Sequence, residues 1–157
     1  MRIGTGFDVH RLVSERALLI GGVKIDFEKG LLGHSDADVL LHALMDAILC
    51  ALCLGDIGHL FPDSDEAYRG ADSGELTKIV ASLMEEKGYG LENADVTVVC
   101  ERPKMAPYIP AIRKNIAELL NTEPERISVK ATTTEKLGFT GREEGIAALA
   151  TVLLKEI

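Results

Sequence analysis

The sequence predicts an α/β (α+β) sandwich: one domain over residues 1–157, with a single mixed β-sheet and its helices packed on one face. Apolar residues recur at helical spacing in three segments, while alternating or β-branched runs mark the strands. The two kinds interleave in the order β, ββ, α, α, β, α, β, β, which covers a sheet with helices. At 157 residues the chain has single-domain size and can bury a core without disulfides or metal staples.

Met1–Leu12 opens with alternating small, apolar and polar residues and reads as a strand. Ala17–Ile20 and Val23–Ile25 form a hairpin around Gly21–Gly22, and Gly30–Gly33 is a loop. A long helix runs from Asp36 to Leu54, with Ser35 as N-cap and a broad apolar face of Leu40, Leu41, Leu44, Ile48, Ala51 and Leu52. Gly55–Asp72 is a loop rich in Asp, Gly and Pro, and loops of that length in compact domains tend to be functional. Ser73–Lys87 is a second helix, stopped by Gly88. Ala94–Glu101 contains the β-branched run VTVVC of a buried strand, and Pro107–Leu120 is a third helix. Ile127–Thr134 and Ile146–Ile157 read as strands, the Ala-rich stretch of the last being also compatible with helix.

The net charge is −8, and no run of Lys and Arg offsets it, which argues against a nucleic-acid partner. MRIGTGFDVHR lacks the apolar stretch of a signal peptide, and the apolar run within Val39–Leu54 is broken by His42 and Asp46, so no membrane span is expected. Three cysteines, an odd number, fit a reducing cytoplasm better than a disulfide framework.

Asp8-Val9-His10 lies on the first strand. Residues two apart share a face, so Asp8 and His10 aim at one point while Val9 enters the core. His42, in the middle of the long helix, supplies a third ligand if that helix packs beside the strand. Two imidazoles and a carboxylate suit zinc, and three protein ligands leave a position open, as catalytic sites do. Asp38 and Asp46 lie one turn before and after His42 and are candidates to fix an imidazole tautomer. Cys50-Ala51-Leu52-Cys53 sits at the C-terminal end of the apolar helix, where the dipole disfavours thiolates, and is read as structural. Cys100 is likewise read as a core residue.

Gly33-His34-Ser35 leads into the helix and reads either as an anion site or as a plain helix cap. Lys130-Ala131-Thr132-Thr133-Thr134-Glu135 ends a strand with three hydroxyls and a carboxylate, a row able to hold phosphate oxygens and an oxygen-loving cation. Gly4-Thr5-Gly6 lacks the third glycine of a dinucleotide fingerprint, and no nucleophile motif is present. The chemistry therefore rests on metal ions and positioning, as phosphoryl transfer does.

Five segments, RIGTGFDVHRL, LLGHSDADVLLHALMDAIL, LGDIGHLFPDSD, ERPKMAPYIP and KATTTEKLGFTGREEGIA, stand in order and at matching spacing. Together they resemble the 2-C-methyl-D-erythritol 2,4-cyclodiphosphate synthases, essentially end to end. The resemblance implies a homotrimer with active sites between neighbouring subunits. It implies conversion of 4-diphosphocytidyl-2-C-methyl-D-erythritol 2-phosphate to the cyclic diphosphate plus CMP, with the substrate's own phosphate as nucleophile. By position, Asp8, His10 and His42 would hold Zn²⁺, and Glu135 a second cation, Mg²⁺ or Mn²⁺. His34 and Ser35 would donate to phosphates and methylerythritol, and Thr133, beside Thr132 and Thr134, would stabilise the transition state. Asp56, Ile57 and Gly58 would face the ribose, and Phe61, Pro62, Asp63, Ser64 and Asp65 the methylerythritol. Cys100, Glu101, Arg102, Pro103, Lys104, Met105 and Ala106 would form the cytidine pocket. Phe139 and Arg142 would lie near the phosphates and the trimer axis, where Phe7, Arg142 and Glu144 are candidates to line a channel for an isoprenoid diphosphate. Glu143 stands where this family often has Gly, and His59 where it commonly has Lys. The competing readings are a zinc-dependent nucleotide-diphosphate hydrolase and a non-catalytic trimer that binds nucleotides or isoprenoids.

Overall fold

The structure, a computed structural model, describes residues 1–62 and 64–157; Asp63, placed above on the methylerythritol side, lies outside the described residues. The elements are β1 (Arg2–Ser14), β2 (Leu18–Ile20), β3 (Val23–Ile25), β4 (Lys29–Leu32), α1 (Val39–Ala51), α2 (Ile57–Leu60), α3 (Ser73–Glu86), β5 (Tyr89–Val99), α4 (Ile109–Leu119), β6 (Ile127–Thr132), α5 (Gly138–Gly141) and β7 (Gly145–Glu156). Five strands form one sheet in the order β4-β1-β7-β5-β6; β5 and β6 are parallel and the other pairs antiparallel, while β2 and β3 make a separate hairpin. The expected mixed sheet with helices packed on it is therefore present, with α1 across β1 and β7, α3 beside β5 and α4 beside β6.

Alternation along β1 sorts its side chains. Gly4, Gly6 and Leu12 are buried beneath the helix layer, and Asp8 and His10 lie on that same face. Ile3, Phe7 and Val9 point the other way, and Val9 is 37% exposed rather than in the core as expected. The strand's period was legible, but which face the helices cover was not. Gly4 and Gly6 decide it: a Cβ on Gly6 would sit 2.0 Å from the Ala43 carbonyl oxygen, and one on Gly4 would sit 1.9 Å from that of Ala47. Without side chains, β1 lets α1 lie directly on it. α1 is buried almost all round, as expected of a helix whose sequence is apolar on most sides.

Several boundaries differ from expectation, three of them near the candidate site. Gly30–Gly33 was expected to be a loop, yet Lys29–Leu32 is an edge strand paired to Arg11–Ser14. Glycine signals a turn locally, and only the partner strand makes this segment extended. The long helix begins at Val39 with Asp38 as N-cap, not with Ser35, because Ala37 adopts φ +57°, left-handed backbone that no helix can include. His42 therefore lies in the first turn rather than mid-helix. The segment 55–72 is not structureless: it carries α2 and a 3₁₀ turn over Glu66–Tyr68, capped by Asp56 and Asp65. The last segment is strand throughout Gly145–Glu156.

Candidate functional site

The first-turn position of His42 brings it over β1. Asp8 Oδ2 lies 2.9 Å from His10 Nε2 and 3.1 Å from His42 Nδ1, and the two ring nitrogens are 3.1 Å apart. A tetrahedral ion with ~2.0 Å bonds would hold its ligands about 3.3 Å from one another, so the spacing fits a zinc-sized cation. The donor set also fits. His10 Nδ1–H donates to the Leu32 carbonyl at 2.8 Å, which leaves Nε2 to face Asp8 and His42. The Asp-His-His group is thus a metal-binding cluster by geometry and by chemistry.

These groups perturb one another. Burial pushes the Asp8 carboxyl up, but hydrogen bonds from His10 and His42 outweigh it and hold Asp8 at about 2. Burial lowers His10, while its hydrogen bond and Coulomb attraction to Asp8 raise it further, and the net shift is upward.

Asp38 and Asp46, expected to orient an imidazole, are engaged elsewhere. Asp38 is fully buried and accepts from Gly21 N (2.9 Å), Gly22 N (2.6 Å) and Leu41 N (3.1 Å), fastening the β2–β3 hairpin to the start of α1. Burial raises its carboxyl despite these donors. Asp46 accepts from Ile57 N at 2.8 Å and anchors α2 to α1; burial raises it too. The residues that do reach His42 Nε2 are Ser73, at 3.0 Å, and Ser35, at 3.2 Å, and Asp36 accepts the Ser73 hydroxyl proton. Sequence spacing along one helix could not reveal a serine and an aspartate brought in by the chain on either side.

The triad opens into a cleft of about 280 Å³. Gly33, His34 and Ser35 form one wall, and His34 Nε2 is buried there with no hydrogen-bond partner among the described residues. Ile57, Gly58 and Phe61 form the other, joined by Tyr68 and Leu76, which the sequence did not single out. Phe61 and Tyr68 stack edge to face. Asp56, Pro62, Ser64 and Asp65 do not line the cleft; Asp56 instead caps α2 and accepts from the exposed ring of His59, 3.3 Å away.

The remaining predicted residues gather elsewhere, beyond the C-terminal ends of the parallel strands β5 and β6. Cys100 N donates to the Thr132 carbonyl (3.0 Å), and Lys136 N to Glu101 (3.3 Å), so the 100–106 loop and the 132–136 turn are neighbours. Glu135 is exposed with φ +54°, and Thr133 Oγ1 accepts its N–H at 3.3 Å. Thr134 turns inward to the Leu137 carbonyl (2.6 Å) and Thr140 (2.8 Å). Pro103, Lys104, Met105 and Ala106 complete the loop, with Met105 buried. Glu143 has φ +58°, the left-handed backbone that favours glycine. Its carboxylate accepts two bonds from Arg102, at 3.0 and 2.9 Å, and so ties the turn before β7 to the 100–106 loop. Phe139 is exposed, and Arg142 pairs with Glu144 at 3.0 Å. β7 and β5 stand between β1 and β6, so this second group lies roughly 14 Å across the sheet from the triad. One chain does not bring the two groups together.

The cysteines at the end of α1 are exposed rather than core residues. Burial and then Asp46 and Asp56 raise the Cys50 thiol, in keeping with no thiolate chemistry there. Cys100 is buried, as expected, and burial pushes its thiol up to about 11.

Known proteins with this architecture are numerous. A 2-C-methyl-D-erythritol 2,4-cyclodiphosphate synthase of Listeria innocua is 60% identical over 156 residues, 99% of each chain. One of Geobacter sulfurreducens is 62% identical over the same share of both. Among solved structures, a CDP-bound 2C-methyl-D-erythritol-2,4-cyclodiphosphate synthase superposes with a TM-score of 0.90 at 38% identity, over 98% of this chain and 100% of that one. The bifunctional IspDF of Campylobacter jejuni superposes at 0.96 with 49% identity, over 99% of this chain, which spans 42% of that longer protein. The YgbB family matches residues 1–155, and by that nearly complete match this chain belongs to the YgbB family.

Proposed function

We propose that this chain performs the reaction for which its relatives are named: cyclisation of 4-diphosphocytidyl-2-C-methyl-D-erythritol 2-phosphate to 2-C-methyl-D-erythritol 2,4-cyclodiphosphate, with release of CMP, in non-mevalonate isoprenoid synthesis. The observation that carries it is the cleft: a cation-binding triad, a polar wall for phosphate and an apolar wall, with no cysteine or lysine lining it among the described residues. Ser35 Oγ accepts from the Ala37 N–H and keeps its own proton to donate to substrate, and the nucleophile in this reading is the substrate's 2-phosphate. An oxygen of the 2-phosphate forms a bond to the β-phosphorus. The bond from that phosphorus to the oxygen bridging to the α-phosphate breaks, and its electron pair leaves on CMP. No water is consumed.

Zn²⁺ on Asp8, His10 and His42, and Mg²⁺ or Mn²⁺ on Glu135, would act as Lewis acids on the β- and α-phosphates. His34 and Ser35 donate to phosphate oxygens and the methylerythritol hydroxyls. Ile57, Phe61, Tyr68 and Leu76 keep water from the reacting phosphorus, so hydrolysis does not compete. Thr132 and Thr133 offer hydroxyls to the phosphates, and the 100–106 loop offers backbone groups to cytosine.

Two features support a homotrimer with active sites between neighbours. The two half-sites are separated within one chain. The sheet face opposite the helices also carries Ile3, Phe7, Leu149 and Leu153, which register places side by side. An apolar patch of that kind marks an interface. Phe7, with Arg142 and Glu144, would line the axial channel, which suits an isoprenoid diphosphate. No described helix is long and apolar enough to cross a membrane, and the proposed location is the cytoplasm.

Phosphorus NMR of the metal-replete protein with substrate tests the reading. Cyclic diphosphate and CMP are expected, and neither from His42→Ala. CMP accompanied by a linear phosphate carrying solvent oxygen would replace cyclisation with hydrolysis. CDP binding without turnover would leave a binding protein.

A further inference from the structure

Ser73 stands between His42 and Asp36, and the protons between them can be assigned. The Ser73 hydroxyl lies 3.0 Å from His42 Nε2 and also bonds an Asp36 carboxylate oxygen. An ionised carboxylate only accepts, so the Ser73 proton points at Asp36, and the Ser73 oxygen accepts from His42 Nε2–H. Ser73 is held on both its groups, because its N–H donates to the other Asp36 oxygen at 2.9 Å. Asp36 is fixed in turn: its N–H donates to the Ala71 carbonyl at 3.2 Å, and its carboxylate accepts from Asp38 N at 3.2 Å. Ser73 and His42 are both buried, so water does not compete for these bonds. A neutral imidazole carries one N–H. With that proton on Nε2, Nδ1 presents its lone pair to the point where Asp8 and His10 converge. The other tautomer would aim an N–H there and exclude a cation.

We infer that Asp36, acting through Ser73, is a positioning residue that holds His42 in the Nε2–H tautomer and thereby sets the cation affinity of the triad. The inference rests on the metal-site reading. It assigns the role to a carboxylate that touches neither cation nor substrate and enters from the chain ahead of α1, linking it to the first residue of α3.

The test titrates metal-free protein with Zn²⁺ against a chromophoric chelator and reads the His42 ring nitrogens by ¹⁵N NMR. Asp36→Asn and Ser73→Ala are expected to bind zinc roughly 10–100-fold more weakly, with His42 no longer confined to one tautomer. Asp72→Asn loosens the cap of α3 without touching the Ser73 hydroxyl, and is expected to keep both zinc affinity and tautomer. Ser73→Ala decides the matter alone should Asp36→Asn fail to fold. Wild-type affinity and an unchanged tautomer in the Asp36 and Ser73 variants would overturn the inference and leave the metal site standing, as would an equal loss in Asp72→Asn. Failure of the wild type itself to bind zinc would overturn the metal-site reading, and this inference with it.

Discussion

Asp8, His10 and His42 set electron-pair donors within about 3 Å of one another, an arrangement that requires a proton or a cation between them. Without metal the proton serves, which is why His10 is raised and Asp8 is held at about 2. Protonated His10 adds stability to the metal-free chain in full below its ordinary value of 6.5, and that contribution is lost as pH rises through the raised value. A cation needs His10 unprotonated, so its stabilisation runs the opposite way. The gain in Tm on adding zinc is therefore expected to grow from about pH 5.5 to about pH 8.5, measured by differential scanning calorimetry with and without the ion. A gain independent of pH would place the cation away from His10. Asp8 and His10 were legible in the sequence because a strand fixes which side chains share a face, and His42 on condition that its helix packs beside that strand. Their supporting partners were not: Leu32, Ser35 and Ser73 arrive from other segments, and the acids one helical turn from His42 turned out to hold loops in place.

β1 and α1 show how an element's composition sets a site. Gly4 and Gly6 look like an incomplete nucleotide fingerprint, yet their task is to remove Cβ atoms where the backbone of α1 passes. Gly6→Ala would place a methyl 2.0 Å from the Ala43 carbonyl oxygen, one residue after His42, and α1 must move away. The expected cost is at least about 2 kcal/mol, or roughly 4–8 °C in Tm, together with loss of zinc binding. Gly70→Ala is the comparison: Gly70 has φ +68° and nothing within 4 Å, so the variant costs about 1 kcal/mol of left-handed backbone strain and keeps zinc. Calorimetry and zinc titration of both variants check this, and full zinc affinity in Gly6→Ala would refute it. The same contrast between local signal and tertiary partner explains the other boundaries. Gly30 reads as a turn until β1 offers an edge, and Ser35 reads as a cap until the left-handed Ala37 moves the helix start to Val39.

For the whole molecule, β7 and β5 separate β1 from β6 by roughly 14 Å, and the proposed assembly would complete each site by joining His42 of one copy to Glu135 of a neighbour. His42→Ala and Glu135→Ala, each inactive alone, are expected to regain about a quarter of wild-type activity when unfolded and refolded together. In randomly assembled trimers a quarter of neighbouring pairs join an intact His42 to an intact Glu135. No recovery on mixing would mean that each chain works alone. By itself the sequence determined the fold class, the family likeness and the candidate metal-binding triad, because periodicity and short-range spacing fix strands, helices and the face on which a side chain lies. Tertiary structure alone decided which face of the sheet the helices cover, which serine and aspartate serve His42, and that the predicted substrate residues fall into two separate groups. Those features depend on contacts between segments distant in the chain, which no local pattern records.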